Sequence, residues 1–266
     1  MFNRIDVSFK TIAANSFAIY FGFTIWRVLF NNYAKEVFDI SPLQIGIIQA
    51  VREVPGLLGF GTGLLSLVMT ESKIAAVCIV ILGLGLLAIG SAEDLWMLGF
   101  GTFIMSIGFH YFLSANKSQL LSYIKTIESG RVQGKLISLE SSASVAATLV
   151  VLGITLIFSY RLTFYLFGFV LFLFGIYFTK TIKPNRVISE RRLVRLKSKY
   201  WLYYTLNLLR GSRRHIFTTF AIFLLVSNHH MTITSISILL LINSLIIICI
   251  SLRIEFKSTN FRIIIS

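Results

Sequence analysis

The run KIAAVCIVILGLGLLAIG, residues 73–90, contains a single charged residue, and that residue is its first. An α-helix needs about 20 mostly apolar residues to cross the hydrocarbon core of a bilayer. Lipid offers no partners for backbone polar groups, so only a helix or a closed barrel can span it. The alternation of apolar and polar residues that marks a barrel strand is not visible in the sequence. The run is therefore predicted to be a membrane-spanning helix.

Seven further runs of similar length flank this one, so that eight spanning helices are predicted. The seven are residues 11–30, 43–68, 95–113, 136–158, 162–179, 200–227 and 233–252. The composition agrees: 56% of the 266 residues are hydrophobic, only 14% are charged, and the mean hydropathy is +0.80. A soluble domain of this length would need more polar surface. The predicted fold class is an all-α polytopic membrane protein, and the lipid bilayer is its first partner.

The basic residues lie mainly in one alternating set of connections. The net charge is +14, which in a soluble protein would suggest nucleic acid, but the opposite connections hold little beyond Lys35 and Arg161. Lysine and arginine are enriched in cytoplasmic loops of membrane proteins. Both termini are therefore predicted to be cytoplasmic, in the inner membrane of a bacterium, and no nucleic-acid partner is expected.

The stretch TKTIKPNRVISERRLVRLKSK, residues 179–199, is the strongest boundary in the chain. It is either a solvated linker or an amphipathic helix that lies on the anionic leaflet. It divides the chain into a six-helix half (residues 1–180), a basic cytoplasmic linker (181–199), and an incomplete second half of two helices and a tail (200–266).

Six helices, a basic linker and further helices resemble the layout of the major facilitator superfamily. The phrases ISPLQIGIIQAVREVPGLLGF, GRVQGKLISLESSASV and YYTLNLLRGSRRHIFTTFAIFLL are similar to a poorly characterised branch of it. The resemblance implies two six-helix bundles with substrate near the membrane midplane between them, and transport by alternating access. Two departures are visible. The loop GLLSLVMTESK has Leu67 where the family usually has an acid, and the chain stops after eight of twelve helices, so a truncated reading frame or a fragment is expected.

The stretch QAVREVPGLLGFGTG, residues 49–63, places Arg52 and Glu53 side by side in the second span. An arginine at a helix centre costs about 2.5–3.5 kcal/mol on insertion scales, so it normally faces a cavity or a partner. Neighbouring positions point about 100° apart, and we expect the two side chains not to simply neutralise each other. Pro55 removes a backbone donor, so Pro55 and Gly56 are predicted to be a hinge. The alternative is a static salt bridge between helices that only fixes packing.

Arg210, Arg213 and Arg214 lie within the seventh span, in the sequence RGSRRH. At this spacing they share one helix face and repel one another, so they need an anion. The alternative is that the segment before them is an interfacial helix that ends in a cytoplasmic basic cluster.

Two further charged residues complete the candidate set. Glu140 is an acid inside the fifth span, or a residue near the headgroups, and Arg27 either lines the cavity or snorkels to the interface. The predicted solute-binding and ion-binding residues are Gln49, Arg52, Glu53, Arg27, Glu140, Arg210, Arg213 and Arg214.

Cations exceed acids in this set, so the sequence favours a secondary transporter of a small anion that bears a carboxylate or phosphate, with Glu53 or Glu140 coupling the movement of a proton. The alternative is a transport-inactive scaffold, sensor or remnant. No paired carboxylates, metal-ligand spacing or Ser/His constellation is visible, so neither an enzyme, a metal site nor a cofactor is predicted. The sequence does not indicate an oligomeric state.

Overall fold

The structure is a computed structural model, and it describes residues 9–59, 61–123, 129–181, 198–202, 205–206, 209 and 220–263. All regular elements in these ranges are helical, which confirms the predicted all-α fold class. A short 3-10 helix, Ser198–Tyr200, precedes the last two α-helices. The α-helices are α1 (Phe9–Phe38), α2 (Pro42–Leu57), α3 (Gly61–Leu65), α4 (Glu71–Gly90), α5 (Leu95–Tyr123), α6 (Ser129–Ile154), α7 (Tyr160–Thr181), α8 (Ile222–His229) and α9 (Ile233–Ile263).

Six of the eight predicted spans are present as single long apolar helices. Within the described residues, the helices that are long and apolar enough to cross a membrane are α1, α4, α5, α6, α7 and the first part of α9. The spanning parts of α1 and α4 are the most buried of the six, so these two helices occupy the interior of the bundle. The chain is thus a polytopic membrane protein.

The second predicted span, residues 43–68, is divided in two. Helix α2 begins with a capping box, in which the side chain of Ser41 accepts from the backbone of Gln44 and the side chain of Gln44 accepts from the backbone of Ser41. It ends at Leu57, two residues after Pro55, and α3 follows as a separate short helix. Proline has no N–H to donate to the carbonyl four residues earlier, so it weakens the helix at this point.

Half of the seventh predicted span, residues 200–227, falls outside the described residues. Its last part forms α8, which begins at Ile222. Arg210, Arg213 and Arg214 lie outside the described residues, and so does nearly all of the basic linker.

Helix α4 packs between α5 and α7, and glycines allow the close approach. A Cβ atom on Gly83 would lie 2.7 Å from the backbone nitrogen of Phe172 and 2.8 Å from the carbonyl oxygen of Gly168, both in α7. These distances are below any real Cβ contact, so only glycine fits at this crossing. Small residues that let backbones approach are the usual means by which helices associate in lipid.

Helix α1 runs through the middle of the bundle and contacts α4, α5, α6 and α7 as well as α8 and α9. Helix α9 packs along α6 and also contacts α1, so the C-terminal part of the chain lies directly against the N-terminal helices. At the end of α1, the side-chain nitrogen of Asn32 donates to the carbonyl of Met231, in the turn between α8 and α9, at 3.3 Å. Polar side chains of α1, α2, α5 and α6 face one another inside this arrangement.

Candidate functional site

Arg52 and Glu53 form a salt bridge within α2. The Nη2 atom of Arg52 lies 2.5 Å from Oε1 of Glu53, and the exposed fractions of the two side chains are 6% and 30%. The expectation that adjacent positions would keep these groups apart was wrong, because both side chains are long enough to bend toward each other. On the other side, Nε of Arg52 donates to Oε1 of Gln49 at 2.7 Å. The predicted trio Gln49, Arg52 and Glu53 is therefore one connected group.

Neighbouring helices enclose the Arg52 guanidinium. Its Cζ atom lies 5.1 Å from the centre of the Trp26 ring in α1, a cation–π distance. The hydroxyl of Ser106 in α5 donates to the backbone carbonyl of Arg52. Trp26 itself stacks with Phe23, whose ring lies 3.8 Å from that of Phe109. The guanidinium thus sits between an aromatic wall and a carboxylate.

His110 of α5 faces both Glu53 and the break in α2. Its Nε2 atom lies 3.7 Å from Oε2 of Glu53, so a protonated imidazole would form an ion pair there. A Cβ atom on Gly56 would lie 2.9 Å from Cε1 and from Nδ1 of His110. The histidine ring therefore occupies the space that glycine leaves beside Pro55. Charge pair, helix break and imidazole meet in one place.

Glu140 belongs to a second polar group, formed by α1, α5 and α6. Its carboxylate is hydrogen-bonded by Tyr20 of α1 and lies near the ammonium of Lys117 of α5. One turn further along α6, Thr24 of α1 donates to Oγ of Ser144 at 3.0 Å. Glu140 therefore has different partners from Arg52. The two acids of the candidate set are both present among the buried helices, but in separate groups.

The remaining predicted site residues are Arg27, the two hinge residues and the three arginines of the seventh span. Arg27 is half-buried on α1, immediately after Trp26. Pro55 is buried and Gly56 lies in the last turn of α2, so the predicted hinge coincides with the end of that helix. The three arginines of the seventh span lie outside the described residues, and their role stays a prediction.

The sequence analysis missed two residues at the site, Trp26 and Ser106. Ser106 and His110 lie four residues apart in α5, a spacing that predicts one polar face on this helix. No comparable signal marks Trp26, because an aromatic residue in an apolar helix is the rule in this chain. Among the described residues no cluster of metal-binding side chains occurs.

Comparison with protein families identifies the family of the chain. The family model described as Major Facilitator Superfamily matches residues 12–263. No curated protein matches the chain. The matched range covers all described α-helices except the first three residues of α1, and it includes both polar groups described above.

Proposed function

The chain belongs to the major facilitator superfamily, and from that premise we propose that it carries a small anionic solute across the membrane, with Arg52 as the group that binds the anion. Family membership makes the protein a secondary transporter of small solutes. The charge of the solute and the coupling to protons are the proposal. The observation that supports it is a guanidinium only 6% exposed, held between a tryptophan ring and a carboxylate.

The first step of the argument concerns the cost of the buried cation. Taking a guanidinium out of water is expensive, and a close carboxylate offsets most of that cost only while it stays in place. Glu53 does so here, but its side chain is 30% exposed and can turn away. A carboxylate or phosphate of the solute can accept from the same guanidinium N–H groups in place of Glu53. Solute and Glu53 are therefore alternative partners for one cation.

The second step links this exchange to a proton. When the solute displaces Glu53, the carboxylate loses its cation, and a poorly solvated carboxylate without a counter-ion favours its protonated form. His110, whose Nε2 lies 3.7 Å from the second oxygen of Glu53, relays this proton: its imidazolium passes one proton to Glu53 and takes up another from the aqueous side, so that the net gain is one proton. Uptake of the anion and uptake of a proton then occur together. We therefore propose a proton–anion symporter.

The third step concerns movement. The exchange takes place one turn before the end of α2, where Pro55 interrupts the hydrogen-bonding ladder and Gly56 receives the His110 ring. A helix end that lacks a donor can change direction at low cost. A change in the partner of Arg52 can thus be converted into a change in the angle between α2 and α3. Alternating access by rocking of helices around a fixed site requires such a joint.

Glu140 is proposed as a second titrating group, since Tyr20 and Lys117 would hold its charge while Thr24 and Ser144 link α1 to α6 next to it. Arg27, Arg210, Arg213 and Arg214 are proposed as further contacts of the anion, because a cavity with more cations than acids attracts anions and repels cations. With this charge balance, cationic solutes are expected to be excluded.

The test is uptake by proteoliposomes that contain the full 266-residue chain. Radiolabelled phosphate, lactate and succinate serve as anionic probes, and a neutral sugar and choline as uncharged and cationic ones. We expect uptake of at least one anion, accelerated by an inward proton gradient. Arg52→Gln should abolish that uptake and Glu53→Gln should make it independent of the gradient.

A matched control is available in the pair Lys35 and Asp39, an intrahelical salt bridge at the end of α1 whose carboxylate is 88% exposed. Lys35→Gln and Asp39→Asn should leave uptake unchanged. Uptake of only neutral or cationic probes, or anion uptake that survives Arg52→Gln, would refute the proposal. Absence of uptake of every probe would favour the transport-inactive alternative.

A further inference from the structure

A buried donor on the ring next to Arg52 has no partner among the described residues. The indole Nε1 of Trp26 is inaccessible to solvent and makes no hydrogen bond to any of them, and the residue as a whole is 4% exposed. A buried N–H without a partner is destabilising, and tryptophan usually finds one when buried. The side chain therefore carries an unused hydrogen-bonding capacity in the state that the structure represents.

The position of this donor connects it to the proposed anion site. The Trp26 ring lies 5.1 Å from the Arg52 guanidinium carbon, and its N–H belongs to the same ring system. Packing fixes the ring in place: Phe23 and Phe30 contact it at centroid distances of 5.5 and 4.8 Å. The ring that carries the donor is therefore held rigidly against the guanidinium and does not need to be ordered on binding, which favours affinity.

We infer that Trp26 is a solute-binding residue, whose indole N–H donates to the anionic head group that Arg52 holds. This inference rests on the proposed function, because it adds a second donor to the same site. A head group that satisfies both donors must present at least two acceptor oxygens, as carboxylate and phosphate do. The site then discriminates such oxyanions from halide ions, which bind without directional acceptors.

A purely structural role predicts a different pattern from a donor role. If the ring served only as a π face for Arg52, phenylalanine would replace it with little loss, because its ring also attracts cations. If the N–H binds the solute, phenylalanine keeps a π face and most of the packing but removes the donor. The comparison of Trp26→Phe with Trp26→Leu, which removes both, separates the two roles.

The experiment measures the kinetics of uptake of the anionic probes, phosphate, lactate and succinate, in proteoliposomes of the full chain. We expect Trp26→Phe to raise KM about 10-fold or more, the loss typical of a hydrogen bond to a charged group, with kcat little changed. Trp26→Leu should be worse still. Trp96→Phe is the matched control, because Trp96 is 88% exposed and lies far along the chain on α5. Its kinetics should equal those of the wild type.

A second readout follows the indole directly. The chain has three tryptophans, and replacing Trp96 and Trp201 by phenylalanine leaves Trp26 as the only one. Its emission should change on addition of the transported anion and reach half of the full change near the KM of uptake, whereas chloride at equal ionic strength should leave it unchanged. If the wild type transports an anion and Trp26→Phe has the same KM, the inference fails while the proposed function stands. If the wild type transports no anion, the proposed function itself fails.

Discussion

Replacing Glu53 by glutamine tests the energetic basis of the proposed site. The substitution keeps the shape of the side chain but leaves the Arg52 guanidinium without its counter-ion, at an exposed fraction of 6%. Breaking a fully buried ion pair on one side costs about 3–5 kcal/mol, whereas a solvent-exposed pair is worth about 0.2–1 kcal/mol. The 30% exposure of Glu53 places this pair between the buried and the exposed case, and we expect Glu53→Gln to lower the free energy of unfolding by about 2 kcal/mol.

The expected change is large enough to measure as a thermal midpoint in detergent. By the scaling of soluble domains of 150–250 residues, about 2 kcal/mol corresponds to a fall of roughly 4–8 °C. The double variant, in which Arg52 and Glu53 are both glutamine, should recover part of the loss, because no uncompensated charge remains. Phosphate in the buffer should raise the midpoint of Glu53→Gln more than that of the wild type, since an anion that binds the native state stabilises it.

The control cycle uses Lys35→Gln and Asp39→Asn, for which the coupling should stay below about 1 kcal/mol. Three results would refute the reasoning. The thermal midpoint of Glu53→Gln could fall no further than that of Asp39→Asn, or the double variant could lose more stability than the two single variants together. The third result would be that phosphate raises the midpoint equally in Glu53→Gln and in the wild type. Each would mean that solvent already screens the guanidinium, contrary to its burial.

Three further substitutions test the surrounding structure. Gly83→Ala should lower the thermal midpoint by several degrees, because a methyl group there would overlap the backbone of α7, whereas Gly153→Ala, which meets no atom within 4 Å, should not. Gly56→Val should lower kcat of uptake while KM changes less, because the added group would collide with the His110 ring at the end of α2. Uptake kinetics measured over a range of solute concentrations would separate the two effects. Asn32→Leu should weaken the contact of α1 with the turn between α8 and α9, because it removes the hydrogen bond to the carbonyl of Met231. A cysteine introduced in that turn should then react faster with a thiol reagent.

The sequence predicted most of the fold because long apolar helices are decided locally. In lipid each helix must satisfy its own backbone, so the length of an apolar run nearly determines the element. The run at residues 73–90 became α4, Glu71–Gly90, with an error of two residues. The division of residues 43–68 into α2 and α3 was harder, because Pro55 is tolerated in many membrane helices and its effect depends on the packing around it. The two residues predicted as a hinge, Pro55 and Gly56, lie in the last turn of α2, and their action as a hinge stays a prediction.

The site was only partly predictable because it depends on pairs of residues far apart in the chain. Arg52 and Glu53 stood out as charges in an apolar run, and their cost in lipid is known from single residues. The partners of Arg52 and Glu53 could not be predicted from single residues, because Trp26 lies on α1 and Ser106 and His110 lie on α5. Even the local expectation for Arg52 and Glu53 was wrong, since an angle between Cβ directions does not fix where long side chains end.

The arrangement around α2 explains why the charge pair and the helix break occur together. A static pair would be most stable in an unbroken helix with both groups fully enclosed, yet Glu53 retains partial exposure and the ladder is interrupted two residues later. Arg52 by contrast is fixed on several sides, by Gln49, by the Trp26 ring and through its own carbonyl by Ser106. A rigid cation with one releasable partner, placed at a joint, is what an exchange between an internal carboxylate and a transported anion requires. In the mechanism we propose, the more enclosed side chain is the one that binds the anion and the more exposed side chain is the one that leaves.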